Sequence, residues 1–422
     1  MSAGLDFMSG DSMPYDVNAA FESARLLHEA GQLEQARSVY EHILSIEPAH
    51  ADTLHLLGVM AHQAGDHRQA IKLIQQAIDA APRPVPAIYY NNMGSALRAA
   101  GRHQDAMIAF SLGIHVDKNY APGYFNLGVA MSGQGDWEAA LQRFSQALDL
   151  KPDFADAHYN KAIAEKQLGR PREALASFRE VLRLQPGNGL AQHYVALLSG
   201  AASERAPDEY VTSIFDGNAE EFDRHLVQQL QYDTPQRLVE MLKQHAKPSS
   251  RQWAVLDLGC GTGLVGAAIA PFAHYVVGVD LSPKMLEKAR TRGVYARLEQ
   301  SELQAMMDVE AEVGAVYDVI TSADVFIYIG KLDRVFQRAR GLLKPGGYFA
   351  FSAESLDALP KNDGCGTEDY RLNPSGRYAH AAAYLKRLAG QSGFAVEAMA
   401  SLPARLEGGQ PVQAWLVLCQ TM

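Results

Sequence analysis

Near the middle of the chain, the stretch VLDLGCGTG (255–263) has the residue types of a ligand-binding turn. An apolar run contains an acid, Asp257, and three glycines follow at Gly259, Gly261 and Gly263. Glycine allows backbone conformations and close approaches that a side chain forbids, so such a turn brings backbone N–H groups next to a bound molecule. The run before the glycines is typical of a strand, and LVGAAIAPFA after them is typical of a helix. The glycine pattern alone also occurs in nicotinamide and flavin enzymes.

Polar side chains that follow the neighbouring strands narrow the choice of ligand. The charge of Asp257 suits an amino-acid ammonium group and opposes a pyrophosphate, which disfavours a dehydrogenase. The apolar run YVVGVDLS ends in Asp280, about twenty residues further on, where a carboxylate can bind both ribose hydroxyls. A third strand, VYARLEQSEL, leads to Glu299 and Gln300, which we expect to hold an adenine edge. Fourth and fifth strands are predicted in YDVITSADVFIYI and LLKPGGYFAFSAES.

Taken together, DLGCGTG, the acid at Asp280, YDVI and LLKPGG resemble the class I S-adenosylmethionine-dependent methyltransferases in order and spacing. The resemblance covers about 210–422. It implies a Rossmann-like, mostly parallel sheet of seven strands with helices on both faces, closed by an antiparallel hairpin from GFAVEAMASLPAR and VQAWLVLCQ. It also implies S-adenosylmethionine as the methyl donor and S-adenosylhomocysteine as the product.

The resemblance assigns roles to individual positions. Asp257, Gly259 and Gly261 would face the methionine part, Asp280 the ribose and Leu281 the adenine. The full cofactor-binding set expected is Asp257, Gly259, Cys260, Gly261, Gly263, Asp280, Leu281, Glu299, Gln300 and Ala323. Ala323 and Asp324 would close over the methionine side and face the acceptor. Asp318 is expected to secure the turn into the fourth strand rather than to contact ligand.

The chain carries no recognisable signature for the acceptor. Asp324 and Tyr328, after the fourth strand, are expected to line its pocket. In SGRYAHAAAYL, predicted to run into a helix, Arg377 would clamp an anionic acceptor and His380 would act as a base. The alternative is that His380 only caps and packs that helix. Cys365, in NDGCGTEDY, would at most flank the pocket, and no metal site is expected.

The first half of the chain is an internal repeat. Units beginning at Ala87, Ala121 and Ala155 follow one another at 34 residues, with a glycine in mid-unit and a late proline. The glycine marks the turn between two amphipathic helices, and the proline ends the second helix. These units resemble the tetratricopeptide repeat (TPR), an α-solenoid of helix hairpins, and five of them cover about 17–188. The segment GLAQHYVALLSGA is expected to be a cap helix.

One repeated position points to a partner. Asn92, Asn126 and Asn160 recur at 34 residues, whereas the earlier units have Leu56 and Glu22 there. An amide ladder can bind the backbone of an extended peptide without reading its sequence, and in arrays of this kind it lines the concave groove. The alternative is that these amides cap helices or bridge neighbouring units.

Composition sets the class of protein. The 422 residues are 47% hydrophobic and 20% charged, which is ordinary for globular domains, and the formal net charge of −10 disfavours nucleic acid and anionic membranes as partners. Three scattered cysteines argue against a disulfide framework. No signal peptide and no membrane span are recognisable, so a cytoplasmic location is expected. The oligomeric state is left open.

The predicted organisation is therefore a flexible tail (1–16), a TPR array with its cap helix (17–198), a linker (199–209) and a methyltransferase domain (210–422). The amphipathic segment with Tyr210, Phe215 and Phe222 is either a lid over the cofactor or an ordinary packing helix.

The main hypothesis is an enzyme that methylates an oxygen or nitrogen of an acceptor recruited by the repeats. The alternatives are a small-molecule methyltransferase whose repeats only dock a partner or oligomerise, and a non-catalytic scaffold.

Overall fold

A computed structural model describes residues 15–201, 204–216, 232–246, 252–359, 369–373, 375–407 and 410–422. The chain divides into two compact units, Met1–Pro186 and Gly187–Met422. Among the described residues, no helix is both long and apolar enough to span a bilayer.

The first unit is a series of helix hairpins with the predicted period. Its helices are α1 (Val17–Glu29), α2 (Leu33–Ile46), α3 (Ala51–Gln63), α4 (His67–Ala80), α5 (Ala87–Ala99), α6 (His103–Val116), α7 (Ala121–Ser132), α8 (Trp137–Leu150), α9 (Ala155–Gln167) and α10 (Pro171–Leu184). The predicted mid-unit glycines lie between the two helices of each hairpin with positive φ, as at Gly101 (75°) and Gly135 (80°). The five predicted repeats are therefore present.

Each hairpin is held by one large side chain against one small one. The second helices bury Tyr40, Ile74, Phe110, Phe144 and Phe178 completely, at equivalent positions of successive repeats. In the fourth repeat a Cβ on Gly128 would lie 2.6 Å from the Phe144 ring, and in the third a Cβ on Gly94 would lie 2.5 Å from Phe110. The recurrence of glycine in the first helix thus follows from close helix contact and not only from turn geometry.

The second unit begins earlier than the sequence suggested. Its first helix, α11 (Gly189–Ser199), is the segment expected to cap the repeats, but Leu190 and Tyr194 pack around Tyr210 of α12 (Asp208–Asp216) within this unit. The expected linker also has partners here, since the backbone N–H of Ala206 donates to the Tyr328 carbonyl at 2.8 Å. The apolar face of α11 indicates that another element packs on it, but the sequence does not show whether that element is the last repeat or α12.

The sheet of the second unit has nine strands among the described residues. They are β1 (Trp253–Leu258), β2 (Ala273–Asp280), β3 (Arg297–Gln300), β4 (Tyr317–Ser322), β5 (Leu343–Ser355), β6 (Tyr370–Leu372), β7 (Tyr378–His380), β8 (Phe394–Glu407) and β9 (Gln410–Thr421). The parallel order is β3-β2-β1-β4-β5, and β9 adds antiparallel to β5 with β8 beyond it. These seven strands are the predicted sheet with its closing hairpin.

The other two strands were not predicted. β6 and β7 form a short antiparallel pair, and β7 joins the end of β5 through Glu354 and Ser355. The segment containing Tyr378 and His380 is therefore a strand, where we predicted a helix; the helix begins only at Ala382.

Helices cover both faces of the sheet. After α12 they are α13 (Thr234–Ala246), α14 (Leu264–Ile269), α15 (Pro283–Thr291), α16 (Leu303–Glu312), α17 (Asp333–Leu342) and α18 (Ala382–Gln391). One core packs α16, α17 and α18 on the sheet, and the other packs α13 and α14 on its opposite face. Asp318 accepts from the Ala254 N–H at 2.8 Å and pairs with Lys344, so it secures strand β4, as predicted.

Candidate functional site

A cavity of about 420 Å³ lies at the carboxyl ends of β1, β2, β3 and β4 in the second unit. This is the edge of a parallel sheet at which the strand order reverses and where ligands of open α/β sheets bind. Its volume is within the range of small-molecule sites. The loops that follow all four strands, together with α12, contribute to its wall.

The glycine turn forms one wall of the cavity. Gly259, Gly261 and Gly263 all have positive φ, at 67°, 54° and 86°. A Cβ on Gly259 would lie 2.2 Å from a methyl of Val325, so the loop after β4 packs directly on the turn. At Gly261 a Cβ would meet nothing within 4 Å, and this residue lines the cavity. The turn therefore presents bare backbone to the cavity at Gly261.

The side chain of Tyr295 explains why positions 263, 266 and 278 are glycines. A Cβ on Gly263, Gly266 or Gly278 would lie within 3.0, 2.3 or 2.8 Å of an atom of the Tyr295 side chain. The Tyr295 hydroxyl reaches past them and donates to Asp257 Oδ2 at 2.7 Å. These glycines thus make room for an aromatic ring behind the turn, and Gly263 does not line the cavity.

Asp257 belongs to this support and not to the cavity wall. It is 1% exposed, and its Oδ1 accepts from the Thr321 hydroxyl at 2.8 Å. Burial raises its pKa to about 6, while hydrogen bonds from Tyr295 and Thr321 act in the opposite direction. Both oxygens already face protein donors and Asp257 does not line the cavity, so this geometry does not support the expected contact of Asp257 with the methionine part, which stays a prediction.

Asp280 lies where the sequence predicted, at the end of β2 and in the cavity wall. Its Oδ2 accepts from the Gly261 N–H at 2.8 Å, and its Oδ1 accepts from the Ser282 N–H at 2.9 Å. Burial raises its pKa, and the backbone donors oppose that shift. None of the ion pairs between described residues includes it. Leu281 and Met285 add an apolar surface beside it.

Strand β3 ends two residues later than the sequence suggested, so the residues predicted to hold an adenine edge lie within it. Glu299 and Gln300 are still inside β3 and do not line the cavity; Glu299 lies 3.9 Å from Arg297, and Gln300 is exposed. The residues after the strand line it instead: Ser301, Glu302 and Leu303. Sequence reasoning ended the strand too early, because LEQSEL contains no turn residue that marks the boundary.

The loop after β4 is held in an unusual conformation. Asp324 is the non-glycine residue with positive φ (56°) in the described backbone. Its N–H donates to the Ser352 hydroxyl, which donates in turn to Asp324 Oδ1, both at 2.8 Å. Arg405 pairs with Asp324 at 3.3 Å and with Glu354 at 3.1 Å. Asp324 and Ala323 line the cavity, and so does Arg405, which the sequence did not single out; the roles of Asp324 and Ala323 toward cofactor and acceptor stay predictions.

Another part of the cavity lining is aromatic and cationic. Tyr328 and Arg377, both predicted acceptor residues, line it and interact with each other. Tyr232 and Phe215 add two more rings. Burial raises the pKa of Tyr328 and of Tyr232, so both phenols stay protonated near neutral pH. Helix α12 contributes Phe215 to this wall; Phe222 of the predicted lid lies outside the described residues.

His380 does not belong to the site, and its predicted role as a base is wrong. It is fully buried in β7, its Nε2 contacts the Gly330 carbonyl at 3.0 Å, and it does not line the cavity. Burial lowers its pKa to about 4, so the ring is neutral above that pH. The alternative, that it packs, describes its position, although in a strand; the His380 and Tyr384 rings stack at 6.1 Å.

The described residues give no support for a cysteine nucleophile or a metal ion at this site. Cys260 lines the cavity at 6% exposure, and burial raises the pKa of its thiol, which disfavours a nucleophilic thiolate. Cys365 lies outside the described residues. Within the described ranges, no group of three His, Cys, Asp or Glu side chains could hold a metal ion.

In the repeat unit, two of the three ladder amides connect neighbouring repeats. Asn92 contacts His55 Nε2 at 2.9 Å, and Asn126 donates to Asn91 at 2.8 Å. Asn160 donates to the Asp156 carbonyl within its own helix. These contacts favour the bridging alternative, while a role in binding a partner stays a prediction.

Comparison with known proteins finds similarity to a different family in part of each unit. Residues 256–349 match a family model described as a methyltransferase domain, and residues 27–90 and 125–189 match tetratricopeptide repeat models. A ubiquinone biosynthesis O-methyltransferase of Xylella fastidiosa (strain 9a5c) is 33% identical over 94 residues, which is 22% of this chain and 38% of the relative. One of the same name from Bordetella avium (strain 197N) is 30% identical over 109 residues, 26% of this chain and 44% of that protein.

The chain thus spans less than half the length of these curated relatives. A solved structure of magnesium protoporphyrin IX methyltransferase from Synechocystis PCC 6803, with bound SAM, is 16% identical, with a TM-score of 0.37 over 51% of this chain and 97% of that one.

Removal of the Tyr295 hydroxyl tests the support behind the turn. Tyr295→Phe keeps the ring but takes one donor from buried Asp257, so we expect a loss of about 1–3 kcal/mol in the free energy of unfolding at pH 7.5. The hydrogen bond opposes the raised pKa of Asp257, so the variant raises that pKa further.

Because the folded pKa of Asp257 (about 6) lies above its ordinary value of 3.8, folding takes up a proton between these values, and stability falls as pH rises through that window. In the Tyr295→Phe variant this window extends to higher pH. The loss in the free energy of unfolding should therefore be larger at pH 7.5 than at pH 5, as measured by urea unfolding. In an Asp257→Asn background this pH dependence should vanish. An equal loss of stability at both pH values would contradict a hydrogen bond from the Tyr295 hydroxyl that stabilises the ionised Asp257 carboxylate.

The backbone at Asp324 gives a second prediction. Asp324→Gly and Asp324→Ala both remove the carboxylate that pairs with Arg405, but only glycine accepts positive φ without a steric cost. We expect the alanine variant to be less stable than the glycine variant by about 1–2 kcal/mol in urea unfolding. Equal stabilities would mean that the loop relaxes out of this conformation.

Proposed function

We propose that this chain, which joins a tetratricopeptide repeat array to a class I methyltransferase domain, transfers methyl groups from S-adenosylmethionine to an oxygen or nitrogen of an acceptor. The observation that carries the proposal is the cavity at the switch point of the sheet, with the bare turn at Gly261 and the Asp280 carboxylate in one wall. The matched relatives are named for O-methyl transfer, which favours oxygen.

The residues present fit the cofactor. Gly261 presents backbone without a side chain, and a Cβ there would project into open space. Asp280 is an acceptor at a strand end, with lone pairs left for hydroxyl donors beyond its two backbone bonds. Leu281, Met285 and Leu303 give an apolar slot of the kind that a base requires.

Charge in the cavity also fits. Four carboxylates line it, against three guanidinium groups: Asp208, Asp280, Glu302 and Asp324, against Arg205, Arg377 and Arg405. Arg205 is paired with Glu302 at 3.2 Å and Arg405 with Asp324 at 3.3 Å. Asp280 therefore contributes negative charge that no described ion pair neutralises, which suits a ligand carrying ammonium and sulfonium groups.

When bound, S-adenosylmethionine supplies a methyl group on a positively charged sulfur, which an acceptor lone pair displaces in line. The chain's part is to align the acceptor, and alignment can contribute up to about 7–11 kcal/mol to lowering a barrier. Arg377 would hold an anionic group of the acceptor, and the protonated phenols of Tyr328 and Tyr232 would donate hydrogen bonds to it. With His380 outside the cavity, the described residues leave two routes: the acceptor brings a reactive lone pair, or a lining carboxylate such as Asp324 takes its proton.

The array is proposed to bind a protein, either the acceptor itself or a partner that carries or delivers it. Support comes from the repeat family alone, since two of the ladder amides are already used between repeats. The alternative with a small-molecule acceptor gains support from the aromatic and cationic residues of the cavity lining, whose types suit a ring with an acidic group. A cytoplasmic location remains part of the proposal.

Cofactor binding tests the site residue by residue. In equilibrium dialysis with radiolabelled S-adenosylmethionine, Asp280→Asn should weaken binding at least about tenfold, because it removes one charge and one acceptor. Gly261→Arg should abolish binding by filling the cradle. Glu299→Gln and Gln300→Ala are matched controls that should change the affinity less than about twofold, because neither residue lines the cavity. If the controls lose binding and Asp280→Asn does not, the site is wrongly placed.

Removing the array separates the two acceptor classes. The deletion should stop at residue 186, because α11 packs within the second unit. Methylation of a protein in lysate by radiolabelled S-adenosylmethionine should fall at least about tenfold in the truncated chain if the repeats recruit it, while cofactor affinity stays unchanged. Unchanged labelling of a small molecule by both chains would instead favour the alternative.

A further inference from the structure

We call the part of the cavity lined by Asp324, Tyr328, Tyr232 and Arg377 the acceptor region, and its contacts distinguish two classes of acceptor. A phenol or an ammonium group carries a proton on the reacting atom, so its methylation needs a base that removes the proton. A carboxylate has an ordinary pKa of about 4 and is ionised near neutral pH, so its methylation needs no base. The first class therefore requires a base at the reacting atom, and the second requires hydrogen-bond donors that hold an anion.

The carboxylates of the cavity lining are already engaged with donors. Among the described residues that line the cavity, each has a partner: Asp208 and Glu302 pair with Arg205, Asp280 accepts from two backbone N–H groups, and Asp324 accepts from Ser352 and pairs with Arg405. In Asp324 both oxygens are used, Oδ1 by the Ser352 hydroxyl at 2.8 Å and Oδ2 by Arg405 at 3.3 Å. Taking a proton would neutralise Asp324 and weaken its pairing with Arg405, so these contacts disfavour it as a base.

Tyr328 and Arg377 together form a donor for an anion. Arg377 donates a hydrogen bond to the Tyr328 hydroxyl oxygen, which lowers the pKa of this tyrosine, whereas burial raises it more strongly. The phenol therefore keeps its proton near neutral pH, and because its oxygen already accepts from Arg377, that proton is directed to another acceptor. A hydroxyl polarised by a guanidinium is a stronger donor than an ordinary phenol. Since both residues line the cavity, an anion bound there meets this donor pair.

Packing holds the Tyr328 ring in place. The residue is 7% exposed, its carbonyl accepts from the Ala206 N–H at 2.8 Å, and the Phe215 ring meets its ring edge-on at 5.7 Å. A donor fixed before the ligand arrives stabilises an anion without the cost of reorganisation.

The second phenol, Tyr232, extends the donor surface toward the loop after β4. It is 6% exposed and lines the cavity, and Asp324 and Arg405 are among its charged neighbours. The carboxylate of this region, Asp324, is matched by Arg405 and Arg377, so the region does not repel an anion by an excess of negative charge.

We propose that the acceptor is a carboxylic acid, bound as its carboxylate by the Tyr328–Arg377 pair, and that the product is its methyl ester; this rests on the methyl transfer proposed above. One carboxylate oxygen accepts from Tyr328, and the other stays available to react. The reacting oxygen donates a lone pair to the methyl carbon, the bond from that carbon to sulfur breaks, and its electron pair stays on sulfur. The carboxylate loses its negative charge and the sulfonium its positive charge, so no proton moves and no base is needed.

Alkali lability tests the proposal without knowledge of the acceptor. Dilute alkali hydrolyses a methyl ester to volatile methanol, whereas methyl ethers and methylamines resist it. The full chain is incubated with cell lysate and S-adenosylmethionine labelled in its methyl group, and volatile label is collected before and after alkali. We expect most of the label that the natural chain transfers to become volatile only after alkali. The Gly261→Arg variant, which should not bind the cofactor, gives the background of the lysate.

The outcomes separate this inference from the proposed function. Transferred label that resists alkali would overturn the carboxylate assignment and leave the methyl transfer intact. Transfer no higher than the Gly261→Arg background would contradict the methyl transfer itself, and this inference with it.

Ligand binding tests the donor pair apart from turnover. The full chain, saturated with S-adenosylhomocysteine, is titrated calorimetrically with benzoate and with benzamide, which has the same shape but no charge. Benzoate should bind at least about tenfold more tightly, and Tyr328→Phe should weaken benzoate binding about tenfold, because it removes a hydrogen bond to a charged group. Tyr275→Phe, the same change at a half-exposed tyrosine outside the cavity lining, should leave it unchanged.

Unchanged affinity for S-adenosylhomocysteine, within about twofold, shows that each variant keeps the cofactor site. Benzoate that binds no more tightly than benzamide, or equally well to Tyr328→Phe and to the natural chain, would overturn the proposal.

Discussion

The Tyr295 ring, wedged against three glycines, is the contact on which the site depends. Its atoms lie within 3.0 Å of the position that a Cβ on Gly263, Gly266 or Gly278 would take. Its hydroxyl donates a hydrogen bond to the buried Asp257 carboxylate. The ring thereby joins the turn after β1 to the neighbouring strand β2 and leaves the turn's other side as bare backbone. Any larger residue at these glycines would displace the ring and with it the cavity wall.

The sequence predicted the fold because its signals are local and periodic. A 34-residue period needs only hairpin packing, and an acid at the end of a strand, Asp280, needs only the strand to end there. It did not show that Asp257 is hydrogen-bonded to Tyr295, because a carboxylate next to a turn looks the same whether it faces ligand or a distant tyrosine. Tyr295 and Arg405 were missed because their partners are 38 and 81 residues away in the chain.

The position of His380 also shows that local sequence spacing does not reveal contacts with distant segments. A histidine and a tyrosine four residues apart predict one helix face, but the segment pairs as a strand beside β5, which buries the ring. Strand pairing depends on a neighbour far away in sequence, so helical spacing alone was misleading. The described wall of the cavity therefore consists of backbone, carboxylates, phenols, guanidinium groups and apolar side chains, with no imidazole among the described residues that line it. Such a wall can align an acceptor and neutralise its charge, and alignment is most of what methyl transfer requires of a protein.

The most direct measurement is a calorimetric titration of the intact chain with S-adenosylhomocysteine. We predict one equivalent bound, with a dissociation constant in the micromolar range or tighter, because the described residues already form the cavity and no ion pair among them includes the Asp280 carboxylate. Absence of binding up to about millimolar ligand would contradict the account and leave the repeats as the chain's functional part.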